Sequence, residues 1–281
     1  MRARGTIFLL LPAVAVLVVF FVFPLLLAAD ESFRLYVPGR VGSTQGAPHT
    51  LQNYVDLFSA AYLRYFVQTF RIGLIASVVA LITGYPIAYR IARLSDARSR
   101  RVWLIFLVTL FFLSILVCVY SIALAMGPAG FGREFGFLLD LGLNNGAYIE
   151  LSIVVGLLHC LVPMAVLSLI APLQNLNPNL VEAAQALGTP NWKAHVTITL
   201  PLSAGAAVSA FMLCFTFCIS AFVIPLVLGK GRILFVSNLI YSRFGEVGDY
   251  PSGAAISIAL LLLSLAVVYV LTRAASRRWA I

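Results

Sequence analysis

The most pointed spacing in this chain is Glu182-Ala183-Ala184, three residues, Gly188, nine residues, then Ile198-Thr199-Leu200-Pro201. These residues supply no nucleophile with its base and no metal-ligand set, so the chemistry they suit is contact. Two alanines at the centre of a helix face let a partner's backbone come close, and a carboxylate at the rim can meet its donors. The stretch is polar and lies between two long apolar runs. What it touches is therefore in the aqueous phase, and the spacing predicts a membrane protein worked from outside itself.

Local punctuation supports this. Asn177 can cap a helix whose first residue is Pro178 and Gly188 can end it, while Thr189 with Pro190 can start a second helix running to Pro201. In the first helix Leu180, Ala183, Ala184 and Leu187 share a face, with Glu182 and Gln185 pointing elsewhere. By itself such a helix also reads as an ordinary surface helix. Its place between the apolar runs and its distance from Leu200-Pro201 set it apart.

Other groups that could do chemistry are few. Arg71, Glu150 and His159 are ionisable and lie in or at the edge of apolar runs, where such groups are costly and candidates for a solute path. Arg71 and Glu150 can snorkel to headgroups, and a neutral His159 can bond a neighbouring helix. Ser203, Ser209, Thr216 and Ser220 read as helix-packing residues. Glu150, Glu246 and Asp249 could attract a cation, and Arg71, Lys230, Arg232 and Arg243 on the same side would oppose it. Cys118, Cys160, Cys214 and Cys218 fall in apolar runs without His or carboxylate at metal-ligand spacing, so they read as packing residues and no metal is expected. No Gly-rich loop with Lys-Ser or Lys-Thr offers a phosphate cradle, so no nucleotide cofactor is expected on this chain.

The elements that must position these residues follow from composition. With 62% hydrophobic residues, 10% charged residues and a mean hydropathy of +1.01, the 281-residue chain needs lipid as solvent. An apolar run of about 20 residues spans about 30 Å of hydrocarbon as a helix. Six such runs, 6–29, 66–89, 102–126, 151–170, 202–228 and 253–271, predict an all-α protein with six transmembrane helices. The first follows Arg2 and Arg4 as a signal peptide would, but it is long enough to span and lacks a small-residue cleavage site, so it is expected to remain.

Six crossings leave both termini on one side. That side carries eleven basic residues, grouped at the N-terminus, in 90–101, at Lys193 and near the C-terminus, against only Asp96 and Glu182. The other side balances eight basic with eight acidic residues. The positive-inside rule makes the first side cytoplasmic. The net charge of +9 and pI of 9.7 thus serve lipid headgroups and not nucleic acid.

The outer loop 30–65 carries Pro38, Gly39, Gly42, Gly46 and Pro48 before an amphipathic stretch, 51–65, in which Leu51, Tyr54, Val55 and Phe58 fit an interfacial helix. It reads as a connector or as a docking surface. Loop 90–101 is short and basic and is expected only to anchor helix ends. Segment 127–147 contains six glycines and the turn Asn144-Asn145-Gly146, and is a loop or a re-entrant piece. Segment 171–201 is the cytoplasmic loop bearing the motif.

The motif Glu182-Ala183-Ala184, Gly188, Ile198, Leu200-Pro201 resembles the signature of inner-membrane permease subunits of binding-protein-dependent ATP-binding-cassette (ABC) importers. Gly84-Tyr85-Pro86-Ile87-Ala88-Tyr89-Arg90, Ile224-Pro225-Leu226-Val227-Leu228-Gly229 and Asp249-Tyr250-Pro251-Ser252-Gly253-Ala254-Ala255 are similar to segments of the spermidine/putrescine group. Gln68-Thr69 and Lys230-Gly231 depart from that group, and permeases for opines or ferric iron share much of the pattern.

The resemblance implies one permease domain over 1–281 with the MetI-like bundle of type I importers. It implies a bacterial inner-membrane location, a second permease subunit, identical or different, two ATPase subunits that use ATP and Mg, and an external solute-binding protein. Glu182, Ala183, Ala184, Leu187 and Gly188 carry over as the ATPase-coupling residues, and a polyamine is the expected solute. A self-sufficient carrier or channel would instead show internal repeats or deep charges in several helices, and a membrane enzyme a cluster of catalytic side chains.

Overall fold

The computed structural model describes residues 12, 14–37, 48–138 and 140–279. Arg2, Arg4, the start of the first predicted span and the Gly- and Pro-bearing stretch 38–47 lie outside the described residues. The chain divides into two compact units, one drawn from Met1–Arg64 and Asn238–Leu263, the other from Tyr65–Ser237 and Ser264–Ile281.

In the smaller unit, α1 (Val14–Ser32) is an apolar rod buried only at its last residue, Ser32, as a lipid-facing helix requires. A π turn at Val18–Val22 precedes Pro24, which has no N–H to give. α2 is confined to Gln52–Asp56, shorter than the amphipathic pattern, since a turn over 57–59 ends it and the next helix starts at Ala60; its side chains tie it to the end of α1. Asn53 Nδ2 donates to the carbonyls of Ser32 and Arg34, both at 2.9 Å, and the Tyr54 hydroxyl lies 2.7 Å from Ser32 Oγ. Leu51, Val55 and Phe58 stay exposed.

α3 (Ala60–Ala92) has 33 residues and is about 50 Å long, more than the hydrocarbon needs. From residue 65 onward it belongs to the larger unit. Asp96 then caps α4 (Ala97–Phe112), accepting from the Ser99 hydroxyl at 2.7 Å and from the N–H groups of Arg98 and Ser99, both at 3.0 Å. The Ser99 hydroxyl, then these two amides, hold its carboxyl below the usual carboxylate range. The stabilisation is therefore present above the ordinary carboxylate pKa and is lost as pH falls through the lowered one.

The third apolar run, predicted as one span, is bent. It breaks between α4 and α5 (Ile115–Ala125) with an 85° bend. Leu113 and Ser114 take extended dihedrals there, without a Pro or Gly to announce it. After α6 (Gly132–Leu138), α7 (Gly146–Gln174) starts at the predicted turn, where Asn145 Oδ1 accepts from Ala147 N at 3.0 Å.

α7 is the axis of the larger unit. Ile149, Ile153, Leu157, Leu161, Ala165 and Leu169 are fully buried, and α4, α5, α10 and α11 pack around it. A helix apolar on all sides needs such a jacket. Its Tyr148 hydroxyl reaches the Met126 carbonyl at 2.8 Å and that of Gly132 at 3.2 Å, which ties the start of the 127–147 segment to this end of the helix.

The fifth run is also bent. α8 (Asn179–Ala186) leads to α9 (Asn191–Leu202), which turns 73° at Ser203 into α10 (Ala204–Ser220). α11 (Val223–Leu228) closes the run, α12 (Val236–Tyr241) follows, and α13 (Tyr250–Trp279) is the last apolar helix. Among the described residues four helices are long and apolar enough to cross a membrane, or up to six if each bent pair counts as one span.

Candidate partner-docking site

α8 begins one residue later than predicted. Asn177 Oδ1 accepts from Asn179 N at 3.0 Å, so Asn177 still supplies the cap, while Pro178 stands before the first helical residue. Its end is a Schellman closure. Gly188 has φ 85°, its N–H reaches the Gln185 carbonyl at 2.9 Å, and Thr189 N reaches the Ala184 carbonyl at 3.1 Å. Gly is needed at that φ because a side chain there crowds the following carbonyl.

One side of α8 is anchored and the other is free. Val181 and, on α9, Ala194 and Thr199 are buried. Leu187 is 87% exposed and Trp192 69%, and Leu180, Glu182 and Ala183 are exposed with them. Gln185 Nε2 donates to Asn191 Oδ1 at 3.0 Å, so the two helices form one corner. α9 does not stop at Pro201 as predicted; a π turn, His195–Thr199, absorbs the proline and the helix runs to Leu202.

The corner rests on α3. Tyr85 OH lies 2.7 Å from Ser203 Oγ at the α9–α10 elbow, and Ser203 Oγ also donates to the Thr199 carbonyl at 2.8 Å. The rings of Tyr89 and His195 meet edge to face at 4.5 Å, and the Arg93 guanidinium lies 5.5 Å over Tyr89. His195 Nδ1 is 3.3 Å from Thr199 Oγ1. Sequence reasoning missed this base and gave the adjoining basic loop no role beyond anchoring. The signal was available: Tyr85, Tyr89 and Arg93 recur every fourth residue and so share a helix face. These contacts join α8, by way of α9, to α3 and to the elbow into α10.

The other predicted site residues are placed as follows. Glu150 is brought against Arg71 as an ion pair between α7 and α3, with both side chains partly exposed. His159 lies nine residues further along α7, about 14 Å by helical rise, and its Nε2 is buried without a hydrogen-bond partner. Asp249, in the smaller unit, caps α13 by accepting from Ser252 N at 3.0 Å and lies 3.6 Å from Arg243, which also donates to Tyr62 OH at 2.6 Å.

Thr69, beside the departing Gln68, and the departing Lys230 both have structural uses. Thr69 Oγ1 is buried and accepts from Val236 N at 2.9 Å, capping α12 from α3. Lys230, with φ 49°, reaches the Leu143 carbonyl at 3.4 Å, and Arg232 reaches that of Asn144 at 2.6 Å. Among the described residues no three His, Cys, Asp or Glu side chains gather where a metal could be held.

The family described as binding-protein-dependent transport system inner membrane component matches residues 84–281. The spermidine/putrescine transport system permease protein PotB of Haemophilus influenzae is 29% identical over 264 residues, 92% of this chain and 90% of that one. PotB of Escherichia coli is 28% identical over 218 residues, covering 76% and 78%. Among solved structures, a bacterial alginate ABC transporter in complex with an alginate pentasaccharide-bound periplasmic protein contains a chain of the same fold. The TM-score is 0.78 at 17% identity, over 99% of this chain and 96% of that one.

Proposed function

The chain belongs to the binding-protein-dependent transport system inner membrane components, the permeases of ABC importers, and on that premise we propose that it forms half of an ATP-driven path for a polyamine. The observation that carries the mechanical part is the α8 corner: a capped helix, exposed along its Ala183–Leu187 side, seated on Tyr85 and Tyr89 and joined to the elbow at Ser203. A rigid lever of that kind suits a partner that closes and opens. Glu182, Ala183, Ala184, Leu187 and Gly188 dock in the groove of a cytoplasmic ATPase subunit, and its nucleotide-driven closure turns the bundle.

The remaining partners are a second permease subunit across the path, a second ATPase subunit and an external solute-binding protein. The ATP and Mg belong to the ATPase subunits. Both termini face the cytoplasm, where the positive excess stands. Glu150 and His159 on α7 are the path residues we assign, with Glu150 held in place by Arg71. Asp249 shapes the outer turn that starts α13, since its carboxylate is already engaged by Ser252 and Arg243.

The two PotB relatives support a polyamine. The solute is tested by uptake into vesicles holding the assembled complex, with labelled spermidine set against a ferric chelate. ATP-dependent accumulation of spermidine alone is the expected result. Accumulation of the chelate with spermidine left outside would overturn the polyamine assignment and leave the permease assignment standing.

A further inference from the structure

Two hollows meet on α3 at the end that carries Arg90. One is an open groove of about 1010 Å³ between α3 and the α8–α9 corner, with Arg90, Arg93 and Tyr89 on its α3 wall and Glu182, Gln185 and His195 opposite. The other is an apolar hollow of about 340 Å³ walled by Ile87, Ile91 and, from α4, Trp103. Pro86, Arg90 and Leu94 line both, so Arg90 stands at the seam between a polar and an apolar space.

The seam has unspent positive charge. Neither Arg90 nor Arg93 takes part in an ion pair among the described residues, and Arg93 Nε is buried with no hydrogen-bond partner. Glu182 is the one acid lining the groove; it is exposed and opposes an anion there, one carboxylate against two guanidinium groups. The nearby Asp96 is occupied in capping α4. The apolar hollow is open, with Ile87 exposed on α3, a helix long and apolar enough to cross a membrane, and Trp103 exposed on α4, which passes the same test together with α5. Tryptophan and arginine side by side at a helix end mark headgroup level.

We propose that this seam holds an anionic phospholipid of the surrounding bilayer, its phosphodiester on Arg90 and Arg93 and one acyl chain against Ile87, Ile91 and Trp103. The guanidinium fork matches phosphate oxygens, and a buried Nε–H needs an acceptor. A soluble anion would use only the polar half, whereas a phospholipid fills both spaces with one molecule. Seated there it lies between α3 and the face of the corner that Glu182 and Gln185 present, so it supports the lever from below. This goes beyond the choice of solute and stands whichever solute is carried.

The test is native mass spectrometry of the full-length chain released from nanodiscs of mixed phosphatidylcholine and phosphatidylglycerol. Two arginines at the headgroup plane give retained phosphatidylglycerol an advantage of roughly 30-fold. R90Q with R93Q is expected to erase that advantage, R90K with R93K to keep part of it, and R98Q, off both hollows, to leave it unchanged. W103A is expected to lower the total lipid retained while the headgroup preference survives. Equal retention of the two lipids by the wild-type chain, or an unchanged preference in the doubly substituted glutamine variant, would overturn the proposal. So would release of the bound lipid by inorganic phosphate, which would show a soluble-anion site. If the glutamine variant does not fold, the lysine and Trp103 variants carry the same decision.

Discussion

Replacing Gly188 with valine is expected to reduce ATP-driven uptake by roughly tenfold while the chain still inserts and folds. Gly188 sits at φ 85°, and an added Cβ would meet nothing within 4 Å, so the cost is one of backbone alone. For an L-residue that conformation costs about 1–2 kcal/mol, and a β-branched side chain takes it worst. The cheapest relief is to open the Schellman closure, giving up the Gly188–Gln185 and Thr189–Ala184 bonds and unwinding the end of α8. A free-energy loss of about 1.4 kcal/mol in the docked geometry is a factor of ten in its population. Asparagine tolerates the left-handed region, so G188N should retain most uptake, G188A less and G188V least. Uptake by all three at the wild-type rate would show that the ordered end of α8 does not matter to transport.

The largest stability loss is expected from Gly229→Ala. Gly229 closes α11, donating to the Pro225 carbonyl at 3.0 Å while its own carbonyl accepts from Arg232 at 2.9 Å. A Cβ there would overlap the carbonyl oxygens of Pro225 and Ile233. Both are backbone atoms, which cannot swing away as the tip of a side chain can, so the whole turn has to move. About 3 kcal/mol is expected, the upper part of the range for overpacking. The turn also carries the Lys230 and Arg232 contacts to the carbonyls of Leu143 and Asn144, so those should loosen with it. Thermal unfolding in detergent measures the loss. A midpoint equal to that of the wild-type chain would mean that the tight turn is not a constraint of the fold.

These two glycines show what was legible in the sequence. Gly188 was readable because helix punctuation is local: Asn177 before, Gly188 after, and a face of small residues between. Gly229 closed a quoted motif, yet its reason, the carbonyl of Ile233 lying across the turn, is a tertiary fact. The apolar runs were readable because the length of a spanning helix is set by the bilayer. Their bends were not. The 85° break at Leu113–Ser114 has neither Pro nor Gly, and extended dihedrals at two ordinary residues leave no mark on composition. At the other elbow Pro201 reads in sequence as an end of helix α9, whereas a π turn accommodates it and the bend falls at Ser203.

The base under α8 was half legible. Tyr85, Tyr89 and Arg93 show their common face by spacing, but nothing local says that His195 and Ser203, more than a hundred residues away in sequence, come to meet them. Asp249 is the opposite case. An acid at an outer helix end looks available for a cationic solute until Ser252 N and Arg243 are seen to occupy it.

The central claim is that an ATPase subunit grips α8 from the cytoplasm. The most direct measurement is disulfide cross-linking from Leu187→Cys in the assembled transporter, with labelling by a membrane-impermeant thiol reagent. The four native cysteines are buried, so the new thiol at this 87% exposed position reports alone. A cross-link to a cysteine in the ATPase groove is expected, with protection from the reagent in sealed, right-side-out cells. Labelling from the external medium, with no ATPase adduct at any nucleotide state, would contradict it.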